Sequence, residues 1–121
     1  MPTSPRADRS WRRWTSFVRG DIHRLRAPRD AQGSEQRGTR YAVIVQSDDL
    51  VLSTVLVSPT SRSAAARSFR PTIVVAGAPT QVLVEQTSAV STERLGAFVG
   101  RVTYEELSEI NQAMRLALEL D

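Results

Sequence analysis

Apolar side chains along this chain come in short runs divided by long polar stretches, and the spacing of each run predicts its element. Phe17 to Leu25 reads as a first strand and Ala27 to Thr39 as a loop of thirteen residues. Loops of that length without structure of their own are uncommon and often functional. Tyr41 to Gln46 is a nearly continuous apolar run, which predicts a central strand buried on both faces. Ser47-Asp48-Asp49 makes a turn, and Val51 to Val57 a further strand ending at Pro59. Thr60 to Ser68 holds Ser, Ala and Arg but no large apolar residue, and reads as a mobile surface loop. Thr72 to Val75 is a strand closed by the turn residues Gly77, Ala78 and Pro79. In its neighbour, Thr80 to Glu85, Val82 and Val84 alternate with Gln81, Leu83 and Glu85.

Toward the end of the chain the period changes. Ser91 to Leu95 fits one helical turn capped by Ser91 or Thr92, and Phe98 to Val102 a final short strand. Thr103 followed by Glu106 is a capping box, in which the hydroxyl and the carboxylate each take the other residue's amide. From there Leu107, Ile110, Met114, Ala117 and Leu118 form one apolar stripe at helical spacing. These elements describe a mostly β chain with one helix: a twisted, curled antiparallel sheet carrying a C-terminal helix, with an SH3-like small barrel as its economical form.

Length and composition narrow the picture. The 121 residues suffice for one small domain. Residues 1–16 mix Pro, Ser, Arg and Asp with Trp11 and Trp14 and keep no period, so a flexible basic N-terminal extension is expected there and the domain proper over 17–121. The apolar runs are too short to span a membrane, and the basic N-terminus lacks the apolar segment of a secretory signal; a cytoplasmic protein is expected. There is no cysteine and one histidine, His23, which excludes thiolate and multi-imidazole metal sites. All sixteen cations are Arg. Residues 1–40 hold ten Arg against four acids, a net +6, and residues 81–121 hold three against seven, a net −4. A basic half rich in planar guanidinium forks points to a phosphate-bearing partner, a nucleic acid first of all.

Candidate chemistry follows by elimination. Asp48 and Asp49 are adjacent and serve better as turn caps than as a metal pair. No Gly-rich loop leads into Lys and Ser/Thr, and no nucleophile elbow accompanies His23, which reads as a structural or solvent-facing strand residue. What remains is a site of Arg, Ser/Thr and carboxylate without cofactor or metal. Arg can steady the dianion that develops when a ribose 2′-hydroxyl attacks its phosphate, and a hydroxyl donor can add a bond to a non-bridging oxygen. Arg40, on the threshold of the buried strand, and the Thr60-Ser61 pair are the natural candidates; an ordinary strand-edge Arg and a turn-forming pair are the alternative.

Five segments in order carry a family resemblance: Arg19-Gly20-Asp21-Ile22; Gly33-Ser34-Glu35-Gln36 with Gly38-Thr39-Arg40; Val55 to Ser61; Val82 to Gln86; and Thr92-Glu93-Arg94-Leu95 with Val99-Gly100-Arg101-Val102 and the last helix. Together they resemble the MazF/PemK family of toxin endoribonucleases over roughly residues 18–119. The resemblance implies a barrel-like sheet with a C-terminal helix, working as a homodimer. It further implies metal-independent, sequence-specific cleavage of single-stranded RNA, leaving a 2′,3′-cyclic phosphate and a 5′-hydroxyl, and a cognate antitoxin as inhibitor. Carried over by position, Arg40 is the catalytic Arg and Ser61 its hydroxyl partner, with Thr60 beside it. Glu35 and Gln36 line the site, and Glu85 is a weaker supporting carboxylate, with a structural role as its alternative. Apart from that transfer, Arg62, Arg67 and Arg70 in the 61–70 loop, with Arg37 and His23, are expected RNA contacts, and a plain solvated loop is the alternative. The chain departs from the family pattern at Tyr41, where Pro is usual, at Ser61, where Thr is common, and at Leu83 and Glu85, where PemK-like members hold an Arg and an Asp. A CcdB-like gyrase poison on the same fold and a non-catalytic RNA-binding member are the alternatives. CcdB-like toxins commonly end in Trp, and this chain ends Leu118-Glu119-Leu120-Asp121.

Overall fold

The computed structural model describes residues 17–26 and 40–121. In chain order the strands are β1 (Asp21–Leu25), β2 (Tyr41–Ile44), β3 (Thr54–Ser61), β4 (Thr72–Val75), β5 (Ala78–Val82), β6 (Ser88–Ser91) and β7 (Leu95–Arg101), followed by the helix α1 (Tyr104–Leu118). Single 3-10 turns occupy Val84–Gln86 and Thr92–Arg94. The sheet runs β4-β5-β3-β2-β1-β7, with β6 also paired to β3, and the paired strands are antiparallel. Curled antiparallel sheet plus C-terminal helix is the architecture the sequence implies.

The apolar run after Arg40 is central because both its faces are covered. On one face Val43 joins Ile22, Ile73, Val75, Val82 and Val102 under Ile110 and Ala113 of α1. On the other, Ala42 and Ile44 pack with Val55, Val57, Val90 and Leu95, and Phe17 and Leu25 close the edge. Ile110 is completely buried, which contributes about 1.5–3 kcal/mol toward holding the helix on the sheet. The capping box forms as expected: Thr103 Oγ1 accepts from the Glu106 amide at 3.0 Å, and Glu106 accepts from the Thr103 amide at 2.9 Å. Glu106 also accepts from the Val74 amide at 3.0 Å, tying the helix start to β4. The apolar stripe is shorter than its spacing suggests. Leu107 and Met114 pack against the core, whereas Ala117 and Leu118 are exposed beyond the sheet. Ser91 caps the second 3-10 turn by accepting from the Glu93 amide.

Several boundaries differ from the sequence reading, each for a tertiary reason. β1 starts at Asp21 because Arg19-Gly20 forms a turn in which Gly20 has φ +95°. The Gly20 amide donates to the Ile44 carbonyl at 2.8 Å and its carbonyl accepts from the Val102 amide at 3.0 Å, stitching three elements together. β3 does not begin at Val51 or end at Pro59 but runs from Thr54 to Ser61, so Thr60 and Ser61 are strand residues. Proline is tolerated there because its carbonyl accepts from the Leu83 amide. Its missing N–H faces that same side, where β3 exchanges β6 (up to Val57) for β5 (from Thr60). The β4–β5 turn is Ala76-Gly77, both at positive φ (51° and 80°), with Ala78 and Pro79 already in β5. Such a pair suits the right-handed twist of a two-residue hairpin. β5 stops at Val82, and Val82, Leu83 and Val84 are all buried as the chain turns inward. β6 is a strand that no periodic signal announces, and β7 begins earlier than expected, at Leu95. Among the described residues no helix is long and apolar enough to cross a membrane.

Candidate functional site

The site grows from the register of β2 on β3. Ala42 pairs with Pro59 and Val43 with Ser58, so continuing the same ladder sets Tyr41 across from Thr60 and Arg40 across from Ser61. Side chains alternate between the faces of a strand. Tyr41 therefore falls in with the helix-side core, where it packs. Arg40 and Ser61 fall on the opposite face, side by side. The Arg40 carbonyl accepts from the Leu25 amide at 2.9 Å, which fixes the backbone while the side chain stays exposed.

The two hydroxyls of β3 differ in what they are free to do. Thr60 is buried and its Oγ1 donates to the Tyr41 carbonyl at 3.0 Å. Ser61 Oγ instead accepts, from the amides of Ser63 at 3.2 Å and Ala64 at 3.0 Å, with Ser63 Oγ a further 3.5 Å contact. Two backbone N–H groups aimed at Ser61 Oγ fix its position and leave its own proton to be donated outward.

Around these residues lies an open pocket of about 640 Å³ lined by Arg40, Tyr41, Thr60, Ser61, Arg62, Thr80, Leu83 and Gln86. Arg40, Ser61, Thr60 and Arg62, read from the sequence as site residues, are thus brought together. Thr80 and Gln86 were missed, and Leu83 stands out in the sequence only as a departure from the family pattern. Thr80 reaches the pocket from within β5, whereas Leu83 and Gln86 do so where β5 gives way to a 3-10 turn at Val84–Gln86, a bend that alternation does not signal.

Other sequence candidates stand elsewhere. Arg70 and Glu85 form an ion pair at 2.7 Å, with a second bond from Arg70 Nε at 2.9 Å. Desolvation alone would raise the Glu85 carboxyl, but the Arg70 hydrogen bond, a backbone bond and the Arg70 charge together hold it below its ordinary pKa. Arg70 also donates to the Ala65 carbonyl and lies over the Phe69 ring, so the 60–68 stretch, expected to be a mobile surface loop, begins with two strand residues and is then exposed yet tied down. Arg67 is exposed and donates to the Ala66 carbonyl. Neither Arg67, Arg70 nor Glu85 lines the pocket. His23 is 8% exposed, its Nδ1 lies 3.0 Å from the Gly96 carbonyl, and its ring sits edge-on between Phe17 and Phe98. It is a packed residue away from the pocket. Glu35, Gln36 and Arg37 lie outside the described residues, as do Trp11 and Trp14. Among the described residues no group of three His, Asp or Glu side chains could hold a metal ion together.

The Arg19-Gly20-Asp21 segment is a clamp. The Arg19 amide donates to Asp48 at 2.7 Å and its Nε to the Val45 carbonyl at 2.8 Å. Burial pulls the Arg19 guanidinium below its ordinary pKa, and the Asp48 charge opposes that shift. Asp21, itself buried, accepts from Arg101 Nε at 2.8 Å.

Comparison with known proteins bears on the family and the fold. Residues 18–118 match the family model described as PemK-like, MazF-like toxin of type II toxin-antitoxin system. Rv3098A of Mycobacterium tuberculosis, a protein named as a candidate toxin, is 40% identical over 73 residues, covering 60% of this chain and 69% of the relative. Among solved structures, a mycobacterial endoribonuclease in complex with its cognate antitoxin superimposes with a TM-score of 0.71 at 18% identity, over 88% of this chain and 98% of that one. The Mycobacterium tuberculosis toxin MazF-mt6 gives 0.67 at 18% identity, over 84% and 98%. Structural likeness at that identity speaks for the fold; the family match spans nearly all of the described domain. The chain belongs to the PemK-like, MazF-like toxins of type II toxin–antitoxin systems.

Proposed function

We propose that this toxin is a metal-independent endoribonuclease that cleaves single-stranded RNA at chosen sequences in the cytoplasm. The observation that supports it best is the convergence of Arg40 and Ser61 on one open pocket, with Ser61 Oγ held in place by two backbone amides. In the reaction the ribose 2′-oxygen, giving up its proton, attacks the adjacent phosphorus in line; the bond to the 5′-oxygen breaks, that oxygen takes a proton from water in the open pocket, and a 2′,3′-cyclic phosphate and a 5′-hydroxyl result. The Arg40 guanidinium steadies the dianionic pentacoordinate phosphate, and Ser61 donates its O–H to a non-bridging oxygen. Ser61 is favoured over Thr60 because the Thr60 proton is already given to the Tyr41 carbonyl. No carboxylate or imidazole lines the described pocket. Glu35, five residues before Arg40, is the candidate to take the 2′-hydroxyl proton. Arg62 tracks a neighbouring phosphate.

The family context extends the proposal to partners. A structural relative occurs in complex with its cognate antitoxin, and a protein antitoxin is the expected inhibitor here. A homodimer is the expected working unit, and exposed apolar side chains such as Leu52, Leu56 and Phe98 give a second copy or the antitoxin surface to cover.

The test is incubation with a long single-stranded RNA in EDTA, followed by mapping of the ends. Discrete cuts that carry cyclic phosphates and disappear in Arg40→Ala are the expected result. Intact RNA with trapped gyrase–DNA complexes would overturn it in favour of a CcdB-like poison, and binding without cutting in favour of a silent member.

A further inference from the structure

The sheet also brings to Ser61 a β5 residue that does not line the pocket. On its other side Ser61 pairs with Gln81 of β5, and Gln81 in turn pairs with Thr72 of β4. With Arg40 opposite Ser61 by the β2–β3 register, Arg40, Ser61, Gln81 and Thr72 form a row across four strands on one face. Directly opposed residues of antiparallel strands stand about 4.5–5.5 Å apart, so the Gln81 amide lies within reach of whatever nucleotide meets Ser61. Thr80 and Val82 flank it in sequence but are buried toward the other face.

Gln81 has an oddity that no structural role explains. Its Oε1 is buried and has no hydrogen-bond partner. An unmet buried carbonyl destabilises a fold, and natural proteins keep few of them, often where function demands it. A Leu of similar size would remove the cost. The terminal torsion of Gln is broad, so the amide can turn to meet a ligand that comes in beside Ser61.

We infer that Gln81 is a substrate-positioning residue whose amide oxygen accepts a hydrogen bond from the nucleotide flanking the scissile phosphate. The donor is an N–H of its base or the 2′-hydroxyl of its ribose. This inference rests on the endoribonuclease reading above. Bound RNA satisfies an acceptor that the free protein leaves unmet, and a nucleotide lacking the donor is disfavoured because the oxygen stays unpaired.

The experiment compares the full-length protein with Gln81→Leu and Gln81→Glu on the same single-stranded RNA, measuring melting temperature, RNA affinity, kcat and KM, and the sequence at every cut. Gln81→Leu is expected to melt at the wild-type temperature or higher while kcat/KM falls about tenfold, the cost of one lost hydrogen bond to substrate. Relaxed preference at one flanking base identifies the base as donor. Unchanged preference, together with a wild-type rate that falls to the variant's level on RNA carrying 2′-deoxyribose at that flanking nucleotide, identifies the ribose. Gln81→Glu is expected to be impaired at neutral pH, where its carboxylate repels the phosphate, and to recover toward acid pH as the group protonates. Wild-type affinity, rate and cut pattern in Gln81→Leu would overturn the inference. If the unaltered protein binds RNA without cutting it, the endoribonuclease reading falls, and weaker binding by Gln81→Leu would still uphold the contact.

Discussion

Replacing Gly20 with Ala tests whether the Arg19-Gly20-Asp21 segment holds the fold or touches RNA. Gly20 has φ +95°, and a Cβ built there meets Val102 Cγ2 at 3.3 Å and Leu107 Cδ2 at 3.9 Å. An L-residue in left-handed conformation costs about 1–2 kcal/mol, and more where φ lies beyond the usual left-handed well. Val102 is buried and branched, so displacing it adds up to about 1 kcal/mol. Stiffening of the unfolded chain returns about 0.4–1 kcal/mol. The net expectation is a loss of about 2 kcal/mol, or a melting temperature lower by about 10 °C for a domain of this size. Gly100→Ala is the control, since no heavy atom lies within 4 Å of its built Cβ, and a change within about 0.5 kcal/mol is expected. Urea and thermal unfolding of the two variants supply the numbers, and RNA cleavage is normalised to folded protein. Gly20→Ala with wild-type stability but lost cleavage would refute the reasoning, because the segment would then be serving the substrate rather than the fold.

Further outcomes follow from other contacts. Thr60→Val and Ser61→Ala should show crossed effects: the first lowers stability by about 1 kcal/mol by removing the bond to the Tyr41 carbonyl, the second slows cleavage about 10²–10³-fold with little change in stability. Arg62→Ala should weaken RNA binding and reduce the slope of log affinity against log salt by about 0.7, the share of one phosphate on a single strand, whereas Arg70→Ala should chiefly destabilise the 61–70 segment. Both are read by fluorescence anisotropy across a salt series. For Glu85 the folded carboxyl has the lower pKa, so its pairing stabilises the protein above the unfolded carboxylate range and the gain disappears as pH falls through the folded value. The stability difference between wild type and Glu85→Gln should therefore be present at neutral pH, shrink with added salt and vanish in acid; a difference that persists in acid would rule out the ion pair as its source.

Features that a few neighbouring residues decide were readable in the sequence. The Thr103–Glu106 box is local chemistry, and the Tyr41–Gln46 run is apolar because strands and a helix cover both its faces. Arg40 and Ser61 pair in the sequence only through the family resemblance; the residues alone leave Thr60 and Ser61 open, and only the β2–β3 register sets Ser61 across from Arg40. Pro59 misled because the rule against proline inside strands concerns a missing donor, and at Pro59 the partner strand changes just where that donor would point. Ala76 at positive φ gives no sequence signal, and β6 is small and polar, so its pairing with β3 is set by the fold alone. Arg70 and Glu85 read as separate site candidates because nothing in their spacing shows that they hold each other. Leu83 and Gln86 enter the pocket through the bend after β5, which depends on where Val82 to Val84 are buried.

Whether Arg40 and Ser61 act on the same phosphate is measured by single-turnover cleavage with Arg40→Ala, Ser61→Ala and the double variant. Groups that stabilise one transition state as a unit are strongly non-additive. The double variant is expected to be slowed little more than the worse of the two single variants, with all three folded as wild type. Single effects that multiply in the double variant, or a Ser61→Ala protein that cuts at the wild-type rate, would contradict joint action on one phosphate.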